Sequence, residues 1–390
     1  MKKVKTAVVG CGMVSDSYIR NLMQLFSIID LVAVCDMNPA AAAEKSRLYG
    51  VPRTMTSDEI AADPEIELVV NLTPPVAHYA VMKQMLEAGK HVYTEKPFAA
   101  NLQQARELAA LANRRGLYLA IAPDTVLGAG IQTARKMIDS GLIGRITSGL
   151  ISVTRNHSLN SEVYRFLQKD GGALPYDLGI YYIGALVALL GSVKAVRGFG
   201  APALYHEKEL LFDQINGDGW TIPGNNLLTA ALAFESGALV SLHFSGNTAG
   251  AESRCFDLYG TEGRLSLGDP NTFYGAVQWT RAEADPVMLP FTHGYNGINT
   301  GEATPHDHYG HRGVGAAELA WAIRRGRKNR LSQAFGLHCQ EILYGLDEAA
   351  RTGATYEMES RCEVAPLKSG YYSTLDSGKV RGDAERSLID

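Results

Sequence analysis

The strongest constraint on the fold is a glycine-rich turn between a predicted buried strand and a predicted helix. The segment from Val4 to Val9 is rich in small and β-branched apolar residues, as in strands buried in a parallel sheet. Gly10-Cys11-Gly12-Met13-Val14-Ser15 follows, and a helical pattern continues to about residue 26. The first glycine permits a tight turn, the second lets the backbone approach a pyrophosphate, and a small third residue lets helix and strand pack closely. This context predicts a Rossmann unit whose phosphate-binding residues are Gly10, Gly12, Met13 and Val14.

An acidic residue ends the second predicted strand, Leu31 to Cys35. Asp36 lies about twenty residues after the glycines, where a carboxylate accepts hydrogen bonds from the adenosine ribose and repels a 2′-phosphate. The next residues, Met37-Asn38-Pro39, offer no arginine for such a phosphate. The pattern favours NAD, with NADP still possible. A second role for Asp36, as the N-cap of the alanine-rich helix over 39–49, is compatible with cofactor binding.

Strands and helices keep alternating as far as residue 121. Strands are predicted over 68–72, 91–93 and 117–121, with helices between them. This alternation predicts a doubly wound parallel sheet with right-handed crossovers. Thr73-Pro74 and Glu95-Lys96-Pro97 each follow a strand, so both segments are expected to face the crevice at the carboxyl ends of the strands. The nicotinamide end of a cofactor is expected there.

A different pattern begins after residue 123. Longer strands are predicted from 145 to 267, and Glu235-Ser236-Gly237 and Thr261-Glu262-Gly263 are typical of hairpin turns. Strands joined by hairpins predict an α+β domain with a largely antiparallel sheet. We therefore divide the chain into a Rossmann domain, 1–123, and a second α+β domain, 124–390.

The helix that follows Gly171-Gly172 carries two polar residues on one face. Asp177 and Tyr181 are four residues apart, so both can act on one ligand. A tyrosine hydroxyl exchanges a proton well where a nearby cation lowers its pKa from about 10. The spacing alone is equally compatible with a buried helix whose tyrosine packs at an edge.

Composition and charge limit the possible partners and location. The net charge is −4 with the signs mixed along the chain, which does not favour nucleic acid or a membrane surface as a partner. The five cysteines are scattered, and the sequence has no apolar run long enough for a signal peptide or a membrane helix. We expect a cytoplasmic protein. No metal is expected, because the histidines over 306–311 suit sugar contacts or a surface loop better than a metal site.

Together these motifs resemble the glucose-fructose oxidoreductase / inositol dehydrogenase family, often called Gfo/Idh/MocA. The resemblance covers essentially the whole chain. It rests on the glycine turn, Thr73-Pro74-Pro75 with His78, Glu95-Lys96-Pro97, and Gly171-Gly172 leading to Asp177-Leu178-Gly179. It implies a Rossmann domain followed by an α+β domain with an open, mostly antiparallel sheet. It also implies a carbohydrate substrate between that sheet and the nicotinamide, and homodimers or homotetramers formed through the open sheet.

The resemblance also implies a reaction, hydride transfer between a secondary alcohol of a sugar, cyclitol or sugar derivative and nicotinamide. Members that resemble inositol dehydrogenase carry histidine four residues after the aspartate, where this chain has Tyr181. This substitution is similar to the glucose-fructose oxidoreductase and dihydrodiol dehydrogenase branch. Tyr181 would then exchange the hydroxyl proton, Lys96 would stabilise its phenolate, and Asp177 would hold a substrate hydroxyl or orient the pair.

The expected ligand contacts form two sets. Expected cofactor-binding residues are Gly10, Gly12, Met13, Val14, Asp36, Thr73, Pro74, His78, Glu95 and Lys96. Expected substrate-binding residues are Lys96, Asp124, Arg155, Tyr164, Asp177, Tyr181 and His308. Arg155 and Arg165 would accept an anionic substituent on the sugar, or else form salt bridges within their loop.

Two other functions fit the same scaffold. One is glycoside cleavage in which transient oxidation of a ring hydroxyl assists elimination and NAD is recycled. The other is a non-catalytic NAD-dependent regulator.

Overall fold

The chain folds around two β-sheets that share helices. The computed structural model describes residues 2–157, 160–161, 164–203, 222–248, 250–295, 310–370 and 383–389. The prediction of a parallel Rossmann sheet followed by an open, mostly antiparallel sheet is confirmed.

The first sheet contains six parallel strands in the order β3-β2-β1-β4-β5-β6. Its strands are β1 (Val4–Val9), β2 (Ile29–Cys35), β3 (Arg53–Thr54), β4 (Leu68–Asn71), β5 (His91–Thr94) and β6 (Leu119–Ile121). The residues of β4 and β6 are buried throughout, as expected for parallel strands covered on both faces. The strand order reverses between β1 and β4, which places a ligand crevice outside their carboxyl ends.

Five helices cover this sheet. They are α1 (Ser15–Gln24), α2 (Pro39–Tyr49), α3 (Ser57–Ala62), α4 (Pro75–Glu87) and α5 (Leu102–Arg115). The N-cap of α2 is Asn38, whose side chain accepts a hydrogen bond from the Ala40 amide, with Pro39 in the first turn. The alternative that Asp36 caps this helix is therefore wrong.

The second sheet contains nine strands in the order β14-β13-β12-β11-β7-β10-β9-β8-β15. Its strands are β7 (Ile146–Thr154), β8 (Val193–Pro202), β9 (Asn225–Phe234), β10 (Leu239–Ser245), β11 (Ser253–Gly260), β12 (Arg264–Leu267), β13 (Val277–Thr280), β14 (Val287–Met288) and β15 (Tyr356–Glu357). The pair β7–β10 is parallel and the other pairs are antiparallel. Alternate residues of β9 and β10 are buried, so one face of the sheet packs on helices.

The remaining helices lie against both sheets: those over 129–139 and 333–352 contact strands of the second sheet, and the helix over 314–325 contacts β5 and β6 of the first. They are α6 (Ala129–Asp139), α7 (Ile180–Leu190), α8 (Val314–Arg325), α9 (Gln333–Thr352) and α10 (Asp383–Ile389). A π-helical turn, Pro175–Gly179, leads directly into α7, whose residues from 180 to 189 are all buried. The β-carbon of any other residue at Gly179 would lie 2.7 Å from the Phe244 ring, so glycine lets this turn approach the sheet.

Segments from the C-terminal half complete the first sheet. The Ile121 amide donates to the Leu331 carbonyl over 3.0 Å, and Ala120 pairs with Ser332. Helix α9 packs on both α5 and β8. The division at residue 123 separates the strands of the two sheets but remains an interpretation, because the last helices contact both.

Two further sequence expectations concern the whole chain. All five cysteines are free thiols. Within the described ranges, no helix combines the length and the apolar character needed to span a bilayer.

Candidate active site

The glycine turn leaves room for a ligand in front of its backbone. Gly10 has φ +103°, and a β-carbon there would lie 2.6 Å from the Leu72 carbonyl carbon, so only glycine fits. A β-carbon at Gly12 would meet no atom within 4 Å, which shows open space on its outer side. The Ser15 amide donates to the Gly12 carbonyl over 3.0 Å and starts α1 directly behind the turn. The turn therefore fits a pyrophosphate, with Met13 and Val14 at its edge.

Asp36 is fixed beside this turn by two backbone amides. Its Oδ2 accepts from the Cys11 amide over 2.7 Å and its Oδ1 accepts from the Asn38 amide over 2.8 Å. A carboxylate has about four acceptor positions, so two remain for ribose hydroxyls. The position and charge of Asp36 fit an adenosine ribose without a 2′-phosphate.

The residues after β4 form a tightly bonded loop. Thr73 Oγ1 donates to Asn71 Oδ1 over 2.7 Å, and exposed Pro74 follows. The His78 ring is fully buried, with Nε2 2.8 Å from the Thr73 carbonyl and Nδ1 2.8 Å from the Pro97 carbonyl. Burial lowers the pKa of His78, although the two carbonyls act in the opposite direction. The expected cofactor contact from His78 is therefore not seen, because the ring joins two loops inside the protein.

Glu95 supports the backbone of the lysine that follows it. It is 8% exposed, its Oε1 accepts from the Tyr18 hydroxyl over 2.6 Å, and its Oε2 accepts from the Lys96 amide over 2.9 Å. The Tyr18 hydroxyl also lies 3.0 Å from the Tyr93 hydroxyl. Both carboxylate oxygens of Glu95 thus hold protein groups, and its contact with a cofactor stays a prediction.

Lys96 bridges the two sheets. Its Nζ donates to the Asp177 carbonyl over 2.7 Å and to Asp177 Oδ1 over 3.1 Å. Burial alone would lower the pKa of Lys96, but the acidic groups of Tyr181, Asp177 and Glu95 raise it above its ordinary value. Burial acts against the charged form of Asp177 too, yet Lys96, with smaller contributions from His157 and Arg155, holds its pKa below its ordinary value. The two side chains therefore form a charged pair at neutral pH.

Tyr181 lies next to this pair but does not share a hydrogen bond with the lysine. Lys96 Nζ is 5.1 Å from the centre of the Tyr181 ring, whereas the hydroxyl accepts from Arg312 Nη2 over 3.1 Å. Burial raises the pKa of Tyr181, and Arg312 and Lys96 offset part of that rise. The contacts do not place Lys96 at the hydroxyl, so its expected role in stabilising a phenolate stays a prediction. The cation at the hydroxyl is Arg312, and the side chain is a phenol.

Arg312 was not predicted from the sequence. It is 2% exposed, and its Nη1 donates to Asp124 Oδ1 over 3.2 Å. Asp124 Oδ2 accepts from the Gly313 amide over 2.8 Å and from the Gly315 amide over 3.3 Å. Asp124 is fully buried and its carboxylate oxygens are bonded to protein groups, so its expected contact with substrate has no support here and stays a prediction. The usable sequence signal was an arginine inside the glycine-rich run Gly310-His311-Arg312-Gly313-Val314-Gly315, at the start of a buried helix.

The other expected substrate contacts are only partly placed. Arg155 follows β7, where its amide donates to the Ser245 carbonyl over 2.9 Å, and its positive charge helps to lower the pKa of Asp177. Its Nε has no hydrogen-bond partner among the described residues. Tyr164 is half-buried beside Phe166, with ring centres 6.3 Å apart. His308 lies outside the described residues, so both Tyr164 and His308 stay predictions.

Metal ligands are not assembled in the described part of the chain, which contains no group of three or more His, Cys, Asp or Glu side chains suited to hold an ion. His311 is the described histidine of the 306–311 segment. Its ring packs edge-on against Tyr295 and Phe273, with centres 5.5 and 5.8 Å apart. Burial lowers the pKa of His311 to about 4, so the ring is neutral at physiological pH.

Relatives share the sequence over part of their length. The chain is 30% identical over 189 residues to trans-1,2-dihydrobenzene-1,2-diol dehydrogenase of Oryctolagus cuniculus, covering 48% of this chain and 57% of the relative. It is 34% identical over 142 residues to scyllo-inositol 2-dehydrogenase (NADP⁺) of Bacillus subtilis, covering 36% and 39%. The chain spans about half the length of the curated relatives it matches.

A solved structure shares the fold over nearly the whole chain. Levoglucosan dehydrogenase in complex with NADH and L-sorbose aligns with a TM-score of 0.76 at 20% identity, covering 92% of this chain and 100% of that protein. At this identity the likeness shows a common fold.

Two family descriptions match adjacent parts of the chain. Residues 4–122 match the oxidoreductase family with an NAD-binding Rossmann fold, and residues 131–266 match the GFO/IDH/MocA C-terminal domain. Together these ranges cover more than half of the chain, and they confirm the resemblance and the NAD-binding fold predicted from the sequence motifs. The chain belongs to the Gfo/Idh/MocA family of oxidoreductases.

Proposed function

We propose that this protein is an NAD-dependent oxidoreductase that transfers hydride between a secondary alcohol carbon of a sugar, cyclitol or sugar derivative and nicotinamide. One observation carries the proposal: Lys96 from the cofactor sheet meets Asp177 and Tyr181 from the second domain in one nearly buried cluster. The cluster lies at the carboxyl end of β5, where ligands bind in doubly wound sheets. The names of the relatives, an inositol dehydrogenase and a dihydrodiol dehydrogenase, support a substrate with neighbouring hydroxyl groups.

Each residue of the cluster has a distinct task in this proposal. NAD, when bound, supplies the hydride acceptor, or NADH the donor. The Lys96 ammonium, fixed by Asp177, presents positive charge to a substrate oxygen that becomes negative in the transition state. The Tyr181 phenol donates its proton to that oxygen during reduction, and in oxidation the deprotonated form takes the proton back. The raised pKa of Tyr181 favours the phenol over the phenolate.

We also propose that NAD is preferred over NADP. Asp36 supports this preference because its carboxylate is held at the edge of the glycine turn by the amides of Cys11 and Asn38. A negative charge at this place repels a 2′-phosphate.

The second sheet supports a further part of the proposal, a homo-oligomer formed by contact of two copies through the open face. That face exposes three large apolar side chains, on strands β7, β8 and β10: Leu150 is 39% exposed, Phe199 76% and Leu239 59%. Exposed apolar groups on one sheet face are typical of a protein contact surface.

The proposal is tested by single substitutions with matched controls. Lys96→Met and Tyr181→Phe should each lower kcat by about 100-fold or more, since each removes a group used in the transition state. Lys90→Met removes a buried lysine at the opposite end of β5, and Tyr182→Phe removes the neighbouring buried hydroxyl, so both should retain turnover. NAD affinity, measured by fluorescence titration, should change little in all four variants.

The assay is NADH formation over a panel of free sugars, cyclitols and glycosides, with NAD and NADP compared. Near-wild-type turnover in Lys96→Met or Tyr181→Phe would overturn the catalytic role of the residue that was replaced. Glycoside cleavage without net NADH would replace the proposed reaction with redox-assisted glycoside cleavage.

A further inference from the structure

Arg312 is held in one position by contacts from three separate parts of the chain. The Asn21 side chain of α1 donates to the Arg312 carbonyl over 2.9 Å, which fixes its backbone. Its guanidinium donates to Asp124 from the 3₁₀ turn Asp124–Leu127 and, over 2.9 Å, to Asn271 Oδ1 from the segment between β12 and β13. The guanidinium carbon is 5.8 Å from the centre of the Phe273 ring. An arginine fixed in this way keeps its fork in a single orientation.

The guanidinium group of Arg312 also points an N–H group at Tyr181. Arg312 Nη2 donates to the Tyr181 hydroxyl over 3.1 Å, and the guanidinium carbon is 5.2 Å from the ring centre. Because an arginine has no acceptor, this bond leaves the hydroxyl its own proton to donate elsewhere. The contact therefore orients the hydroxyl without consuming the proton that the proposed reaction needs.

Charged groups face Tyr181 from several elements. Arg312, next to α8, and Lys96, after β5, are cations, whereas Glu95, after β5, and Asp177, in the π-helical turn, are anions. Lys96 and Asp177 pair with each other over 3.1 Å. Asp124, in the 3₁₀ turn, faces Arg312, and so does the neutral phenol of Tyr18. Tyr93 lies beside Tyr18. The opposite charges of Lys96 and Asp177 balance each other. Arg312 is then the cation bonded to the Tyr181 hydroxyl, and the negative charge of Asp124 offsets its positive charge.

We propose that Arg312 is a positioning residue that orients the Tyr181 hydroxyl and sets the pH range over which it exchanges a proton with substrate. The inference rests on the proposed oxidoreductase function and extends it to a residue that acts through Tyr181. Asp124 supplies the negative charge that partly offsets Arg312. Removing the cation favours the phenol, and removing the counter-charge favours the phenolate.

The test is the pH dependence of alcohol oxidation. In this direction kcat/KM should increase with pH as Tyr181 loses its proton, and this increase is the rising limb of the pH profile. An opposite charge at this distance shifts a pKa by roughly 1–3 units. Arg312→Met should therefore move the rising limb to higher pH by about one unit or more. Arg312→Lys keeps the charge and should leave the limb within about half a unit while lowering kcat, because the planar fork is lost. Asp124→Asn should move the limb the opposite way, to lower pH.

A residue with only a structural role gives a different result. It would lower thermal stability and kcat in all three variants while the limb stays at the wild-type pH, and that outcome overturns the inference. If Arg312→Met does not yield folded protein, the direction of the shift in Asp124→Asn decides alone. Tyr181→Phe separates the role of Tyr181 from that of Arg312: full turnover in that variant refutes the proton exchange by Tyr181 on which this inference rests. Absence of NAD-linked turnover by the wild type over the whole substrate panel refutes the proposed function itself. Loss of turnover in Tyr181→Phe, together with a limb at the wild-type pH in the Arg312 and Asp124 variants, refutes only the role of Arg312.

Discussion

The pairing of Lys96 with Asp177 predicts an asymmetric effect of removing either partner. Their side chains are 14% and 17% exposed, so each charge depends on protein contacts more than on water. Among the described residues, the Asp177 carboxylate accepts a hydrogen bond from Lys96 alone, whereas Lys96 Nζ also donates to the Asp177 carbonyl over 2.7 Å. Lys96→Met therefore leaves an isolated carboxylate, while Asp177→Asn leaves an ammonium with one acceptor.

The expected magnitudes follow from the burial of the pair. Removing one partner of a fully buried pair costs about 3–5 kcal/mol, and the residual exposure reduces this to about 2–4 kcal/mol for Lys96→Met. Asp177→Asn keeps the carbonyl contact and should cost about 1–2 kcal/mol. The double variant removes both charges of the pair, so it should be at least as stable as Lys96→Met, with a coupling energy of about 1–3 kcal/mol.

The pH dependence of Lys96→Met should have the opposite sign from that of the wild type. In the wild type the folded-state pKa of Asp177 is lowered, so its contribution to stability is present above the unfolded value of about 3.9 and is lost as pH falls. Without Lys96, the largest influence that lowers this pKa is lost, and we expect burial, which raises it, to outweigh His157 and Arg155 and bring the pKa above the unfolded value. The variant then gains stability from the protonated carboxyl as pH falls. The difference between the two proteins should be largest near pH 7 and should shrink toward pH 4.

Urea unfolding at several pH values measures these differences, with fluorescence and circular dichroism required to give one midpoint. NAD is left out, because a bound ligand stabilises whichever form binds it. A Lys96→Met variant as stable as wild type at pH 7, or a difference that grows on acidification, would refute the reasoning.

Two other predictions concern the cofactor and the assembly. Asp36→Ser should weaken NAD binding by about tenfold or more, because charged hydrogen bonds to the ribose are lost. It should also reduce the ratio of NAD affinity to NADP affinity, because the charge that repels a 2′-phosphate is gone. Fluorescence titration checks it, with Asp30→Ser at the other end of β2 as the control, and stronger binding of NADP than of NAD by the wild type would contradict it. Phe199→Glu should convert the expected homo-oligomer to monomers in light-scattering measurements, whereas the same mass for both proteins would exclude this face as the contact.

Local patterns made most of the cofactor half predictable. The strand Val4–Val9, the turn that follows it and the helix Pro39–Tyr49 depend on neighbouring residues, and the structure has the two elements with the predicted bounds. The glycine turn was recognisable because its backbone, rather than distant side chains, forms the site. Short strands such as Arg53–Thr54 and Tyr356–Glu357 were missed, since two residues carry no periodicity.

The contacts of Tyr181 depended on residues far away in the sequence. Arg312 is 131 residues from Tyr181, and no spacing rule connects them. Without Arg312, Asp124 was assigned to the substrate pocket, although its carboxylate is fully buried against that arginine and two glycine amides. The same limit applies to Lys96, whose location was predicted while its partner was not. A sequence motif placed each charge at a strand or helix end, but only packing decided which charges pair.

The segment that pairs with the outer side of β6 affects how the protein folds during translation. The strand Leu119–Ile121 bonds on its outer side to Leu331 and Ser332, which are translated about 210 residues later. At usual elongation rates the ribosome needs roughly 10–40 s for that interval. During this time the first sheet has an open edge with unpaired amides and carbonyls, the kind of edge that attracts other strands. The nascent cofactor domain is therefore at its greatest risk of aggregation before the C-terminal half emerges, and completion of the chain closes that edge.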